Sequence, residues 1–341
     1  MIGPEVRELL AGQPGGSPVT SLTAAAVRAE DREVLALQRM PGALHSVEDM
    51  RVPGAEGPLR ARVYRPRPGP LQAVLYFHGG GFVIGGDGYD APLRDLALAS
   101  GCLIVAPECR LAPECPFPAA CDDARAVARW LADTVRDLGA AEASPAVAGD
   151  SSGGNLAALV TQDLFQAGRP PSFQVLIYPM LDATASSNSY REFSTGYGFS
   201  AAKSQWYYSQ YLPPGTDRRD PRVSPVYSRC LRGLPPTLVV TAECDPLRDE
   251  GERYARALHA AGTHTDLRRY AGMIHGFFQM TGALADARQL HADLGHWMRQ
   301  HAGHSVGRDA VPGGSPIPSP TVRPGPSSAA GGCATESGGC A

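Results

Sequence analysis

Short apolar runs alternate with segments of helical spacing through the middle of the chain. AVLYF at 73–77, CLIVA at 102–106, AVAG at 146–149, FQVLIY at 173–178 and TLVVTA at 237–242 are rich in Val, Leu and Ile and bounded by Gly or Pro. Runs of this kind predict strands buried on both faces of a parallel sheet. Between them, PLRDLALAS, DDARAVARWLADTVRDL and SGGNLAALVTQDLFQAG repeat their apolar residues at helical spacing. The alternation is that of a βαβ chain. ALHSVEDMRV and LRARVYRP, upstream of these, alternate residue by residue and predict an antiparallel opening meander.

Two parts do not extend this sheet. Residues 1–43 predict one or two helices, with TAAAVRAEDREVLALQRM running to a stop at Pro41 and Gly42. Residues 183–225 are rich in Ser, Tyr and Arg and hold a short aromatic helix at SQWYYSQYL. A helical layer over one end of the sheet would put both where a ligand enters. Residues 303–341 contain no Phe, Trp or Tyr and are dominated by Gly, Pro and Ser. Such a segment buries too little apolar surface to offset chain entropy, so a disordered tail is expected, with Cys333 and Cys340 as exposed thiols.

Composition narrows the function. The 341 residues exceed what one core usually organises, so a large main domain with an accessory element is expected. A formal charge of −3, from 31 basic and 34 acidic residues, supplies no field for a polyanion, and nucleic acid is not an expected partner. Lys203 is the only lysine, so there is no GxxxxGK phosphate loop. The N-terminus, MIGPEVRELLAGQPGG, carries acids and lacks the apolar run of a secretory signal. No stretch approaches the roughly 18 apolar residues of a membrane span. A cytoplasmic chain with no membrane span and with reduced thiols is expected. Cys109, Cys115 and Cys121 repeat at C-x5-C, which is not a zinc spacing, and no metal site is expected.

AVAGDSSGGNLAALV reads as strand, tight turn and helix. Its G-D-S-S-G turn, Gly149-Asp150-Ser151-Ser152-Gly153, has the G-x-S-x-G form that lifts a serine above a sheet edge while the next helix aims N–H groups at it. A turn in which Ser151 or Ser152 merely caps a helix would leave the same pentapeptide, and on these five residues alone the two readings stand level. A second element separates them. AVLYF runs directly into HGGGF, where Gly79, Gly80 and Gly81 expose backbone amides as an oxyanion hole requires. The amides of Gly80, Gly81 and Ser152 are assigned to the oxyanion, and His78 to holding the loop. A dinucleotide match at Gly86, Gly88 and Ala91 starts too far past its strand to be a fingerprint.

With Ser151 as nucleophile, the order serine, acid, histidine leads past TLVVTA to Asp245 in ECDPLRDEG and past TDLRRYAG to His275 in MIHGFF. His275 would take the serine proton and Asp245 would hold the imidazole. Glu243 and Asp249 are rival acids that stand too close to the strand and already in the next helix. Ser200 and Lys203 form an S-x-x-K match, but the companion K-T-G needs a second lysine, so Ser200 is expected to cap a helix. His291, His296 and His301, five residues apart, are expected on a solvated helix surface.

HGGGF, GDSSGG, DPLRDEG and IHGF, in this order, resemble the hormone-sensitive lipase family of α/β-hydrolase esterases, the bacterial family IV enzymes, over about residues 20–302. CRLAPECPFPAA at 109–120 is similar to a family stretch in which Tyr is usual at Cys109 and His at Cys115; Ala is common at Ser152. The resemblance implies an α/β fold with a mostly parallel eight-stranded sheet, flanking helices and a helical cap. The implied division is cap helices at 1–43, hydrolase core at 44–182, cap insertion at 183–225, core again at 226–302, and the tail. It also implies a carboxylic ester hydrolase for short to medium acyl esters, without metal or organic cofactor. Trp206, Tyr207 and Tyr208 become candidates for lining the pocket or packing the cap, and the Ser152 hydroxyl a candidate substrate contact. Acyl transfer to another acceptor would use the same residues. A non-catalytic receptor on the same scaffold is the remaining alternative, against which His275 argues, because plant gibberellin receptors resemble the family but lack that histidine. A small-molecule ester is the expected partner, and a homodimer is left open.

Overall fold

The opening strands β1 (Ser46–Pro53) and β2 (Pro58–Arg65) form an antiparallel pair, as their alternation requires. The strands that follow are β3 (Ala73–Phe77), β4 (Leu103–Pro107), β5 (Ala146–Asp150), β6 (Gln174–Ile177), β7 (Thr237–Cys244), β8 (Thr265–Ile274) and β9 (Thr321–Arg323). They make one sheet in the order β1-β2-β4-β3-β5-β6-β7-β8-β9, parallel from β4 onward, with β2 antiparallel to β4. This computed structural model describes residues 2–12, 19–142, 144–302 and 321–323.

Every residue of β3, β4, β5 and β6 is buried, which is why these runs are apolar but for Gln174 at the start of β6 and Asp150 at the end of β5. Their side chains divide by parity, because successive side chains of a strand point to opposite faces. Ala73, Leu75 and Phe77 of β3 enter one core; Val74 and Tyr76 enter the other. The first core is closed by α4 (Ala119–Thr134), α5 (Ser152–Gln166) and α8 (Arg248–Ala260) through Leu131, Leu156 and Leu258. The second is closed by α3 (Asp90–Ser100) and α9 (Ala285–His301) through Leu93, Leu294 and Trp297.

Three expectations change. The helical run expected from Thr23 to Met40 breaks: α2 (Ala24–Glu30), capped by the Thr23 hydroxyl accepting from the Ala26 amide (3.1 Å), gives way to a 3-10 helix over Asp31–Leu37. Tertiary anchors on both sides override helix propensity. Arg28 holds Glu114 with two hydrogen bonds (2.8 and 2.7 Å) and donates to Val83 O, and Arg39 grips Asp95 (2.9 and 3.0 Å). The eight expected strands are β1–β8, and a ninth joins their edge. Thr321–Arg323, inside the segment read as a tail, pairs with Arg268–Tyr270 because the outer edge of β8 offers open backbone donors and acceptors. The rest of 303–341, with Cys333 and Cys340, lies outside the described residues. The third change is in α9. Its histidines are not one solvated face: His291 is 2% exposed, stacks on Phe278 and donates from Nε2 to Phe278 O (2.9 Å), whereas His296 is exposed.

The N-terminal segment, which begins with α1 (Pro4–Gly12), meets the 183–225 segment. The latter carries α6 (Asn188–Glu192) and α7 (Ala201–Tyr211). Lys203 pairs with Glu30 (3.6 Å) and α7 packs on the turn Val19–Ser21. Ser200 caps α7, its hydroxyl accepting from the Lys203 amide (3.0 Å). Among the described residues no helix is long and apolar enough to cross a membrane.

Candidate active site

Strand β5 ends at Asp150 and α5 begins at Ser152, leaving Ser151 alone in the turn with φ 52° and ψ −121°. That backbone is strained for a residue with a side chain. The turn closes only because its flanks are glycine. A Cβ on Gly153 would stand 2.0 Å from Phe77 O, and one on Gly149 2.4 Å from Gly153 O. The Ser151 amide donates to Ile177 O (2.9 Å), and its carbonyl accepts from the Met180 amide (2.9 Å). The hydroxyl is thus aimed from a fixed backbone.

Asp245 and His275 each sit just past a strand, β7 and β8. The chain places them 94 and 124 residues from Ser151, and the fold brings all three together. Nδ1–H of His275 donates to Asp245 Oδ2 (2.8 Å), leaving Nε2 to accept from Ser151 Oγ (2.9 Å). Asp245 is fully buried and its Oδ1 accepts from the Leu247 amide (2.9 Å), so both oxygens are committed. The rival acids are occupied elsewhere: Glu243 accepts from the Gly272 amide (2.6 Å) and Asp249 from the Ser189 amide (2.9 Å).

The loop after β3 turns back over this serine. Gly80 (φ 114°), Gly81 (φ 61°) and Phe82 (φ 63°) all have positive φ. Gly81 has a second constraint, since a Cβ there would meet the Tyr207 ring at 2.3 Å. The Gly80 carbonyl points away and accepts from the Val83 and Ile84 amides (3.0 and 2.9 Å). Among the described residues nothing accepts from the amides of Gly80, Gly81 or Ser152. The Ser152 hydroxyl accepts from the Phe82 amide (3.2 Å). It braces the loop through an oxygen lone pair, and its O–H keeps a donor for a substrate contact.

Asp150 does more than occupy a turn. Its Oδ1 accepts from Tyr76 Oη (2.9 Å) and the Gly79 amide (2.9 Å), and its Oδ2 from Tyr89 Oη (2.7 Å) and, at 3.5 Å, Tyr178 Oη. Burial pushes this carboxyl up, against the hydrogen bonds of Tyr89 and Tyr76, which pull it down. His78 holds the same loop from the other side: Nδ1 meets Gly79 O (2.7 Å) and Nε2 pairs with Glu108 (3.6 Å). Burial opposes charge on both members of that pair, but their mutual attraction prevails. His78 rises above the ordinary histidine value, and the Glu108 carboxyl is held down to about 2. Burial likewise lifts Asp31, on the N-terminal 3-10 helix, to about 6.

Four neighbours, Phe199, Tyr178, Tyr76 and Tyr89, escape sequence reasoning. Phe199 stacks on the His275 ring (centroids 4.4 Å apart, 27° between planes) and Tyr178 covers it at 4.7 Å; the tyrosines around Asp150 come from three separate segments. Of the three aromatics singled out in α7, Tyr207 lies against Gly81, Tyr208 is wholly buried, and Trp206 packs at the core margin. Among the described residues no cluster of His, Cys, Asp and Glu could hold a metal.

A family profile for the alpha/beta hydrolase fold matches residues 74–279. The chain belongs to the α/β-hydrolase family. This hydrolase is 41% identical over 262 residues to the carboxylic ester hydrolase LipN of Mycobacterium tuberculosis, covering 73% of this chain and 70% of that one. To the ethyl acetate hydrolase of Pseudomonas putida it is 37% identical over 250 residues, covering 71% and 79%. Among solved structures, a hyperthermophilic esterase of Pyrobaculum calidifontis superposes on the hydrolase with a TM-score of 0.82 at 39% identity, covering 88% of this chain and 99% of that one. An ester-hydrolase from the metagenome of Lake Arreo reaches 0.84 at 39% identity, covering 89% and 100%. The resemblance to the hormone-sensitive lipase esterases is borne out by these relatives.

Proposed function

We propose that this hydrolase is a serine carboxylesterase with Ser151, His275 and Asp245 as its triad. The observation that carries the reading is the unbroken chain Ser151 Oγ, His275 Nε2, His275 Nδ1, Asp245 Oδ2, with contacts of 2.9 and 2.8 Å. Ser151 Oγ attacks the ester carbonyl as Nε2 accepts its proton, and Asp245 steadies the imidazolium. The carbonyl oxygen becomes an oxyanion facing the uncommitted amides of Gly80, Gly81 and Ser152, each such donor supplying about 2.7–4 kcal/mol. Collapse expels the alkoxy oxygen with the proton returned by Nε2 and leaves Ser151 acylated. Water, deprotonated by the same nitrogen, then releases the acid. No step calls on a metal or organic cofactor.

Short to medium acyl esters are the proposed substrates, in keeping with an ethyl acetate hydrolase among the relatives. The N-terminal helices and the 183–225 segment, which touch through Lys203 and Glu30, act as a cap. Six described cysteines carry unpaired thiols, which suits a reducing, cytoplasmic setting. The test is an organophosphate ester followed by peptide mapping. We expect one adduct, on Ser151, and no ester hydrolysis by Ser151→Ala; an adduct on another residue, or hydrolysis surviving the substitution, rejects the assignment.

A further inference from the structure

The loop between α6 and α7 delivers Phe199 onto the imidazole of His275, and α7 delivers Tyr207 onto Gly81. The two rings face each other at 6.4 Å with 24° between planes. Together they form one aromatic wall that runs from the base to the glycine loop. Tyr207 is nearly sealed, at 4% exposure, whereas Phe199 is only half-buried. Phe199 therefore keeps accessible surface while its ring lies against the base.

The stereochemistry of ester cleavage says which half of a substrate meets that surface. In the tetrahedral state the oxyanion must face the glycine amides, while the departing oxygen must come within hydrogen-bond reach of the nitrogen that protonates it. That nitrogen is His275 Nε2, whose ring carries Phe199 against its face at 4.4 Å. The group attached to the departing oxygen, the alcohol half of the ester, is thus held next to Phe199. The acyl substituent leaves the carbonyl carbon in a different direction.

Resting on the esterase reading above, we propose that Phe199 is the specificity-determining residue for the alcohol half of the substrate, selecting esters whose alcohol carries a flat apolar group. A phenyl ring offered to it gains an offset or edge contact that an ethyl group cannot make.

The experiment compares wild type with Phe199→Ala and Phe199→Leu on benzyl acetate, ethyl acetate and ethyl hexanoate, with active sites counted by organophosphate titration. We expect the benzyl-to-ethyl acetate ratio of kcat/KM to fall about three- to tenfold in Phe199→Ala, from the worth of one aromatic contact. In Phe199→Leu, which keeps apolar volume, it should fall by a smaller factor. The hexanoate-to-acetate ratio should hold in both. Loss of folding lowers the count of titrated sites and not the ratios per site, and the leucine variant reports if the alanine variant does not fold. An unchanged benzyl-to-ethyl ratio in an active enzyme overturns this proposal alone, as does a shift confined to the acyl ratio. A wild type that cleaves none of the esters overturns the esterase reading and this proposal with it.

Discussion

Removing the carboxylate of Asp150 should disable the proposed oxyanion loop without touching the proposed triad. Asp150→Ala takes away the acceptor of the Gly79 amide, Tyr76 Oη and Tyr89 Oη at 2.7–2.9 Å, at a site 2% exposed. Orphaning a buried donor costs about 1–3 kcal/mol. The Tyr89 hydroxyl can still accept from the Gly79 amide (3.0 Å), and relief from burying a charge offsets part of the loss. We therefore expect a destabilisation of about 3–5 kcal/mol rather than the full sum. Asp150→Asn is milder for a geometric reason. Tyr76 and Gly79 both use Oδ1, which an amide oxygen can replace, so only the Oδ2 contacts, the short one to Tyr89 and the longer one to Tyr178, must reverse direction. About 1–2 kcal/mol is expected there. The loss of activity should follow the loop: with Gly79 held only by the Tyr89 hydroxyl, misalignment of one proposed oxyanion donor lowers kcat about 100-fold in the alanine variant, and asparagine should stay within about tenfold. Urea unfolding gives the first quantity, and kcat and KM on an ethyl ester give the second. An alanine variant whose kcat stays within a factor of three would refute the reasoning, because the loop would then be held without Asp150.

Gly81→Ala should abolish turnover while the urea midpoint changes less, since the new Cβ lies 2.3 Å from the Tyr207 ring in a backbone with φ 61°; recovery of near-native kcat would show that the loop yields. His291 makes stability depend on acid. Burial pushes its imidazole down to about 4, with Asp95 opposing and Arg39 assisting, whereas the unfolded chain keeps the ordinary value of about 6.5. The unfolded state binds the extra proton, so stability from this group is complete above about pH 6.5 and is lost as pH falls through 4. The urea midpoint of wild type should drop more steeply between pH 7 and 4 than that of His291→Gln, and parallel curves would contradict the assignment.

Much of this molecule was legible in one dimension, for reasons that are local. A strand buried on both faces must be apolar without interruption, so AVLYF coincides with β3 and TLVVTA with the start of β7. The tight turn at Ser151 tolerates only glycine on either side, because other backbone lies about 2 Å from where a Cβ would go, and that prohibition is written directly in GDSSG. The order of serine, acid and histidine follows from which strand ends the chain visits in turn. Other features were decided by segments far apart in sequence. His291 is buried because Phe278 lies across it, the helix after Thr23 tightens because Arg28 and Arg39 are held by partners across the fold, and Asp150 is hemmed by tyrosines from β3, the turn before α3, and the residue after β6. Phe199 carries no mark in its own neighbourhood that it will rest on His275. Periodicity and turn chemistry record what a residue demands of its chain neighbours, whereas a pocket wall depends on which distant surfaces the packed layers bring face to face.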